Sequence, residues 1–410
     1  MLEDKYKDLL VDTLCQCIRI PSCSSATGGT EGELQTWIAR RMSQIGARVK
    51  TFEVDDVPGF RRHPLCCGPD RQYKGRPTVL GEFGPEKASA LLVMAHSDTV
   101  QVNRPDEWTF DPFCGDVRDR RVCGLGASDD KWGIASMLTI MQALQESGNR
   151  YSKRVIFAST IDEENGVGNG LLLLMLANLK AESALYLDGG EMDICIGNMG
   201  GSNLRLQPKS AVESGTFIRH ARLLETACRE ISRQRRELFN QRFFEKNATR
   251  EHSVMFLQKE DERGSFFLIP FYTLPGEGRA DFCHQLEKAL SNALEKDFSL
   301  YTVSYREPWF EPALIPEKTP LVQSLSMAAR EILAREPHIT TISKQDAFVL
   351  TNHANIPTVS FGIGKGTMFS DPGGRGGYHQ PDECVTIDDL WSGCRIAYST
   401  IRRWLEDRAE

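Results

Sequence analysis

His96, His379 and a set of acids, each placed where an apolar run gives out, supply the donor types that a pair of divalent cations needs. His96-Ser97-Asp98 follows the run 90–95, and Asp162-Glu163-Glu164-Asn165-Gly166 follows 154–161. Asp188-Gly189-Gly190 follows 184–187, and the run 356–363 leads through a glycine-rich stretch to His379. Adjacent carboxylates repel unless a cation lies between them, so Glu163-Glu164 at the end of an apolar run points to a metal. Zinc is borderline soft and takes imidazole nitrogen together with carboxylate oxygen, and one bridging carboxylate lets such a set hold two ions. Asp129 is the candidate bridge. It stands just ahead of Ile134, Met137, Leu138, Met141 and Leu144, whose three-to-four spacing marks one face of a helix. An acid at a helix start is also favoured by the unpaired N–H groups there. Taken singly, His96 reads as a structural histidine, Asp129 and Asp188 as cap or turn residues, and Glu163-Glu164 as a solvated pair. The ordered set carries the metal reading, and with it that of a metallohydrolase.

The elements that must position these residues follow from periodicity. The four apolar runs read as buried strands, and in open α/β sheets sites collect at the carboxyl ends of such strands. A chain of 410 residues exceeds what one core usually serves, so two domains are expected. The fold class is α/β: a catalytic domain with a mostly parallel sheet flanked by helices, formed by residues 1–199 and 317–410, with an inserted α+β lid domain at 200–316. A first helix begins near Asp4 and buries Leu9, Leu10, Leu14 and Ile18 before Pro21. A second, from about Glu31, carries Leu34, Trp37, Ile38, Met42 and Ile45 before Gly46. The insert shows a long polar helix pattern from Phe217 to about Phe244 and strand-like runs at 266–272 and 300–305. Thr319-Pro320 then reads as N-cap and first residue of a helix to about Leu333.

At this level the chain resembles the co-catalytic zinc peptidases and deacylases, among them acetylornithine deacetylase, succinyl-diaminopimelate desuccinylase, aminoacylase, carnosine dipeptidase and glutamate carboxypeptidase. The resemblance rests on His96-x-Asp98-Thr99-Val100, Trp108 with Asp111-Pro112-Phe113, the stretch Gly124-Leu125-Gly126-Ala127-Ser128-Asp129-Asp130-Lys131, Asp162-Glu163-Glu164, Asp188, and His379-Gln380-Pro381-Asp382-Glu383, in the family's order. It implies two zinc ions per chain, with Co2+ or Mn2+ able to use similar donors. By the same resemblance one ion would be held by His96, Asp129 and Asp188, and the other by Asp129, Glu164 and His379. Asp98 would accept a hydrogen bond from the other nitrogen of His96 and so orient it, and Glu163 would be the general base for a zinc-bridged hydroxide directed at an amide carbonyl. The implied substrate is an N-acyl amino acid or short peptide. A strict dipeptidase or carboxypeptidase, or a non-catalytic metal-binding relative, is the alternative. The insert is implied to be a lid that mediates a homodimer.

The insert also departs from the family's pattern. Where relatives place a lid histidine the chain has Glu213-Ser214-Gly215, which leaves His220 as the nearby candidate for meeting the substrate oxyanion. Phe271-Tyr272-Thr273 stands where many relatives carry an arginine that pairs with a substrate carboxylate. Further substrate-binding candidates are Asp346, which resembles an acid ahead of the family's last core strand, and Gly374 and Arg375 in the glycine-rich loop. That loop reads either as an anion cradle or as a flexible connector. The arginine-rich stretch from Arg219 to Arg250 reads as a solvated helix face with internal Glu–Arg pairs. A formal charge of −7 argues against nucleic acid as a partner. The chain's 12 cysteines contain no Cys-x2-Cys pair, and no apolar run reaches membrane-spanning length. A cytoplasmic location with no membrane partner is expected.

Overall fold

The computed structural model describes residues 2–148, 151–240, 252–307, 309–342, 344–365 and 374–406, and its chain divides into two compact units. The first comprises Met1–Ile196, Ile315–Ile339 and Val349–Glu410; the second comprises Gly197–Leu314 and Thr340–Phe348.

The first unit is built on a twisted sheet. Its strands run in the order Arg48–Phe52, Thr78–Phe83, Arg154–Thr160, Ala90–His96, Ser183–Tyr186, Thr358–Phe361, Ile194–Asn198. The middle of the sheet is parallel, from Arg154–Thr160 across to Thr358–Phe361. Antiparallel partners flank it at Thr78–Phe83 and Ile194–Asn198. Every residue of Ala90–His96 is buried, as expected of a central parallel strand covered on both faces. The helix Lys131–Glu146 packs on that strand and is buried along almost its whole length, from Lys131 to Met141. Helices Lys7–Ile18 and Ile387–Glu406 pack against it in turn, and Pro320–Leu333 lies against Ile387–Glu406.

The local punctuation is legible. Gly46 closes Gly32–Ile45 in the left-handed region, at φ 98°, where a side chain would be strained. Pro320 opens its helix at a position where a missing N–H costs nothing. The first helix begins as a single 3-10 turn, Asp4–Tyr6, before continuing as Lys7–Ile18.

The second unit is α+β. Its antiparallel sheet has the order Leu257–Asp261, Gly264–Thr273, Gly200–Pro208, Tyr301–Tyr305. Helices Ser214–Arg235 and Arg279–Leu294 pack on one another, and Phe217, Leu224, Phe282 and Leu286 share a core with Leu204, Leu206, Phe267, Ile269 and Phe271. Phe217 and Phe267 stack at 4.3 Å between ring centroids. Glu213 proves to be the N-cap residue of the long helix rather than the end of a strand, and its carboxylate accepts a hydrogen bond from Thr216 Oγ1. An acid suits that helix terminus. Residues Arg242, Lys246 and Arg250 of the basic stretch, and Gly366, Thr367 and Gly373 of the glycine-rich loop, lie outside the described residues.

Candidate metal centre

Strand register brings the chemistry together. In the parallel ladder His96 pairs with Thr160 and Met94 with Tyr186, so the chain segments that follow all emerge at one edge of the sheet. His96 is the last residue of its strand. Glu163 and Glu164 open the short helix Glu163–Gly166, and Asp188 lies two residues past the end of Ser183–Tyr186. Asp129 comes from the turn ahead of Lys131–Glu146, and His379 from the segment ahead of the strand Cys384–Thr386. All of them belong to the first unit.

The geometry is that of two sites sharing one carboxylate. His96, Asp129 and Asp188 bring their ligand atoms within 4.8 Å of one another, and Asp129, Glu164 and His379 do the same. Asp129 Oδ1 is 3.0 Å from His96 Nε2, while Oδ2 is 3.0 Å from His379 Nε2. Glu164 Oε1 lies 2.8 Å from the same His379 nitrogen. Two atoms that each stand about 2.0–2.1 Å from one zinc ion are at most about 4.2 Å apart, and these three separations fit within that. His96 Nδ1 is 2.9 Å from the backbone oxygen of Asp98. A carbonyl oxygen only accepts, so Nδ1 carries a proton and Nε2 is the nitrogen available to a metal.

The charges fit cations as well. Burial works against a protonated ring at both histidines, yet the facing acids win: Asp129 and Asp98 at His96, Glu164 and Asp129 at His379, and both rings are held well above the usual histidine range. Burial likewise opposes the Asp129 carboxylate, but the two imidazoles keep it far below the ordinary aspartate value. The acids gathered here favour positive charge between them, which a metal would supply.

Other side chains hold the turns in place. Asp98 sends its carboxylate to the backbone: Oδ1 accepts from the Glu163 N–H at 3.1 Å and Oδ2 from the Glu164 N–H at 3.0 Å, while Oδ1 stands 3.6 Å from His96 Nδ1. It therefore orders the acidic turn directly and reaches the imidazole mainly through its own carbonyl. Asp130, fully buried, accepts the His96 backbone N–H at 3.1 Å. Beneath the acidic turn lies a buried ion network in which Asp162 meets both Arg71 and Arg76, and Arg76 also holds Glu31 at 2.5 Å. Burial alone would raise the Asp162 carboxyl, but Arg71 and Arg76 outweigh it and hold it below its usual value. Neither Arg71 nor Arg76 carries a motif or a periodic signal, and Glu31 is marked in the sequence only as a helix start.

The substrate-binding candidates are placed differently. His220 is buried in the second unit, with Nδ1 2.8 Å from the Tyr301 hydroxyl and Nε2 3.1 Å from Asp297. Both ring nitrogens are engaged there. Asp346 is also buried in the second unit. Arg375 pairs with Asp382 and donates to the Glu107 carbonyl, and Gly374 accepts from Arg104 Nη2 at 2.9 Å, so both serve as ties between loops of the first unit. At the start of the glycine-rich loop, a Cβ on Gly362 would stand 2.1 Å from the Gly189 carbonyl oxygen. Glycine is required there for backbone to meet backbone.

Residues 92–403 match the peptidase family M20/M25/M40, and the chain belongs to it. Among curated proteins it is 26% identical over 194 residues to an N-formyl-4-amino-5-aminomethyl-2-methylpyrimidine deformylase of Bacillus subtilis, covering 47% of this chain and 41% of that one. It is 30% identical over 161 residues to a succinyl-diaminopimelate desuccinylase of Beijerinckia indica, covering 38% and 36%. The matched stretch thus spans about two fifths of these relatives. Among solved structures, the Saccharomyces cerevisiae di-peptidase superposes with a TM-score of 0.74 at 14% identity, over 99% of this chain and 98% of that one. Human carnosine dipeptidase 1 gives 0.70 at 15% identity, over 97% of each. Both likenesses establish the fold. No helix among the described residues is long and apolar enough to cross a membrane.

Replacing His379 by alanine removes the only imidazole of the second ligand set. Elemental analysis of metal-loaded protein is expected to show about half the metal content of the wild type, and an unchanged content would remove His379 from the site. Stripping metal with a chelator is expected to lower the melting temperature by about 5 °C, because a ligand at about 100 times its Kd contributes about 2.7 kcal/mol to the folded state. Differential scanning calorimetry with and without added zinc checks this.

Proposed function

We propose that the chain is a two-metal amidohydrolase that cleaves the amide bond of an N-acyl amino acid or short peptide, with Glu163 as general base. The observation that carries this reading is the placement of Asp129 between His96 and His379, one oxygen toward each ring, with Asp188 and Glu164 completing the two sets. Zinc bound there would supply a Lewis acid for the amide carbonyl and lower the pKa of water toward about 7. The chain's own contribution is positional. Glu163 belongs to neither ligand set, yet it adjoins Glu164 on the same turn, and Asp98 holds the backbone of both. From that turn its carboxylate would take a proton from the attacking water and return it to the leaving nitrogen. Side-chain exposures of 17% at Asp129 and 16% at His379 leave the centre open to approach by a small molecule.

The relatives named deformylase and desuccinylase support an acyl group on the scissile nitrogen, whereas the solved structures named dipeptidases support a peptide. Primary-amine release from separate pools of N-acyl amino acids and of dipeptides, measured with zinc-loaded protein, tests the proposal. Turnover of the first pool supports the deacylase and turnover of the second the dipeptidase. Silence from folded, metal-loaded protein against both pools would overturn the catalytic reading.

A further inference from the structure

Glu383 is a fully buried acid that binds no metal in either ligand set, and its carboxylate is occupied entirely by the turn that carries Asp129. Oε2 accepts the Gly126 N–H at 3.1 Å. Oε1 accepts the Ser128 N–H at 2.9 Å, the Ser128 hydroxyl at 2.9 Å and the Asp129 N–H at 3.2 Å. The main chain adds a further tie, because the Gly124 N–H donates to the Glu383 carbonyl at 2.9 Å and the adjoining residues Cys123 and Cys384 pair as neighbouring strands.

We propose that Glu383 is a positioning residue for Asp129, which sets where the shared carboxylate stands between the two histidines. The segment that carries Glu383 also carries His379, and it is closed on itself by the Gly376 N–H to Pro381 oxygen bond at 2.8 Å and the Cys384 N–H to Gly376 oxygen bond at 3.2 Å. One short stretch therefore delivers the second imidazole and grips the turn of the carboxylate that imidazole must face. His379 Nε2 stands 3.0 Å from Asp129 Oδ2, between that stretch and the turn it grips.

The chemistry of the grip requires an acceptor at both oxygens. Each of the four contacts is a donor aimed at the carboxylate, and a carboxylate is the side chain that accepts at every position. In Glu383→Gln the amide oxygen can keep the three donors now on Oε1, which leaves an NH2 group facing the Gly126 N–H. Donor then meets donor at one end of the turn while the side-chain volume is unchanged. A group that merely filled space would tolerate this exchange; one that positions Asp129 would not.

This inference rests on the two-metal reading, and the experiment separates the two. Zinc affinity and stoichiometry are measured by competition with a chromophoric chelator on wild type, Glu383→Gln and Ser128→Ala, with circular dichroism and thermal melts alongside and kcat and KM measured separately. The expected result is wild type with two bound zinc ions and folded Glu383→Gln whose weaker site has lost about 10- to 100-fold in affinity, as when partners behind metal ligands are altered. Its kcat falls while KM changes little. Ser128→Ala, which deletes one of the four donors, moves affinity the same way by about 2- to 5-fold and keeps the decision open should Glu383→Gln fail to fold. Wild type that binds no zinc would sink the metal reading itself. Wild type with two ions, beside variants that bind zinc as tightly and turn over as fast, would leave that reading standing and overturn the positioning role.

Discussion

Glu163→Ala is expected to lower kcat by about 10²- to 10⁴-fold while leaving metal content at the wild-type level, the range that a general base contributes. The split between the two readouts follows from geometry. Glu163 lies outside both ligand sets, whereas its neighbour Glu164 stands 2.8 Å from His379 Nε2. Removing the Glu163 carboxylate would take away the proposed proton acceptor while leaving both ligand sets whole. The turn itself survives, because Asp98 grips the backbone N–H groups of residues 163 and 164, which alanine retains. A 10³-fold fall corresponds to about 4 kcal/mol of lost transition-state stabilisation. KM is expected to move little, since the base is used in the transition state and not in binding. Amine release and elemental analysis on the same preparation decide it. Loss of activity and metal together would make Glu163 a ligand.

The parts of this centre that sequence could reach are those announced by a change in local pattern. His96, Glu163, Glu164 and Asp188 stand at or just beyond the ends of apolar runs, and runs that become neighbouring parallel strands deliver their ends to one edge. Asp129 was legible through the helix it precedes, and His379 through the motif around it. The side chains behind the ligands announce nothing. Arg71 and Arg76 sit in a loop with no periodicity, and they acquire meaning only because the fold lays that loop against Asp162. The Asp98 carboxylate lies 3.6 Å from His96 Nδ1 and also holds the backbone of the acidic turn, a second engagement that no spacing announces, while its carbonyl faces the ring at 2.9 Å. In the second unit the strand Leu257–Asp261 is exposed at every position and rich in charge, so it lacks the half-buried alternation by which an edge strand is recognised. Glu213 stands where relatives place a lid histidine, yet the strand before it ends at Pro208 and the residue caps a helix.

Asp162→Asn is expected to destabilise the first unit by about 3–5 kcal/mol, the cost of breaking a buried ion pair from one side. The substitution is close to isosteric. Asparagine also tolerates the left-handed backbone that Asp162 adopts at φ 67°, so the change isolates charge. In the wild type Asp162 Oδ1 accepts from Arg71 and, at 2.9 Å, from Arg76 Nη2, while Oδ2 accepts from Arg71 Nε and Asn169 Nδ2, each at 3.0 Å. Glu31 engages Arg76 and has no contact of this kind with Arg71. Without the Asp162 charge, the Arg71 guanidinium is left buried beside a neutral amide that cannot accept at both positions. Urea unfolding of zinc-loaded protein, followed by tryptophan fluorescence, reports the relevant transition, because of the 6 tryptophans only Trp309 belongs to the second unit. Arg71→Met paired with Asp162→Asn should recover part of the loss, since the stranded charge goes with its partner. A midpoint unchanged in Asp162→Asn would mean that the Arg71 guanidinium does not depend on the Asp162 charge. Because Asp162 immediately precedes Glu163, kcat in the same variant should also fall, by about 10-fold or less, through slackening of the turn that Asp98 alone would then hold.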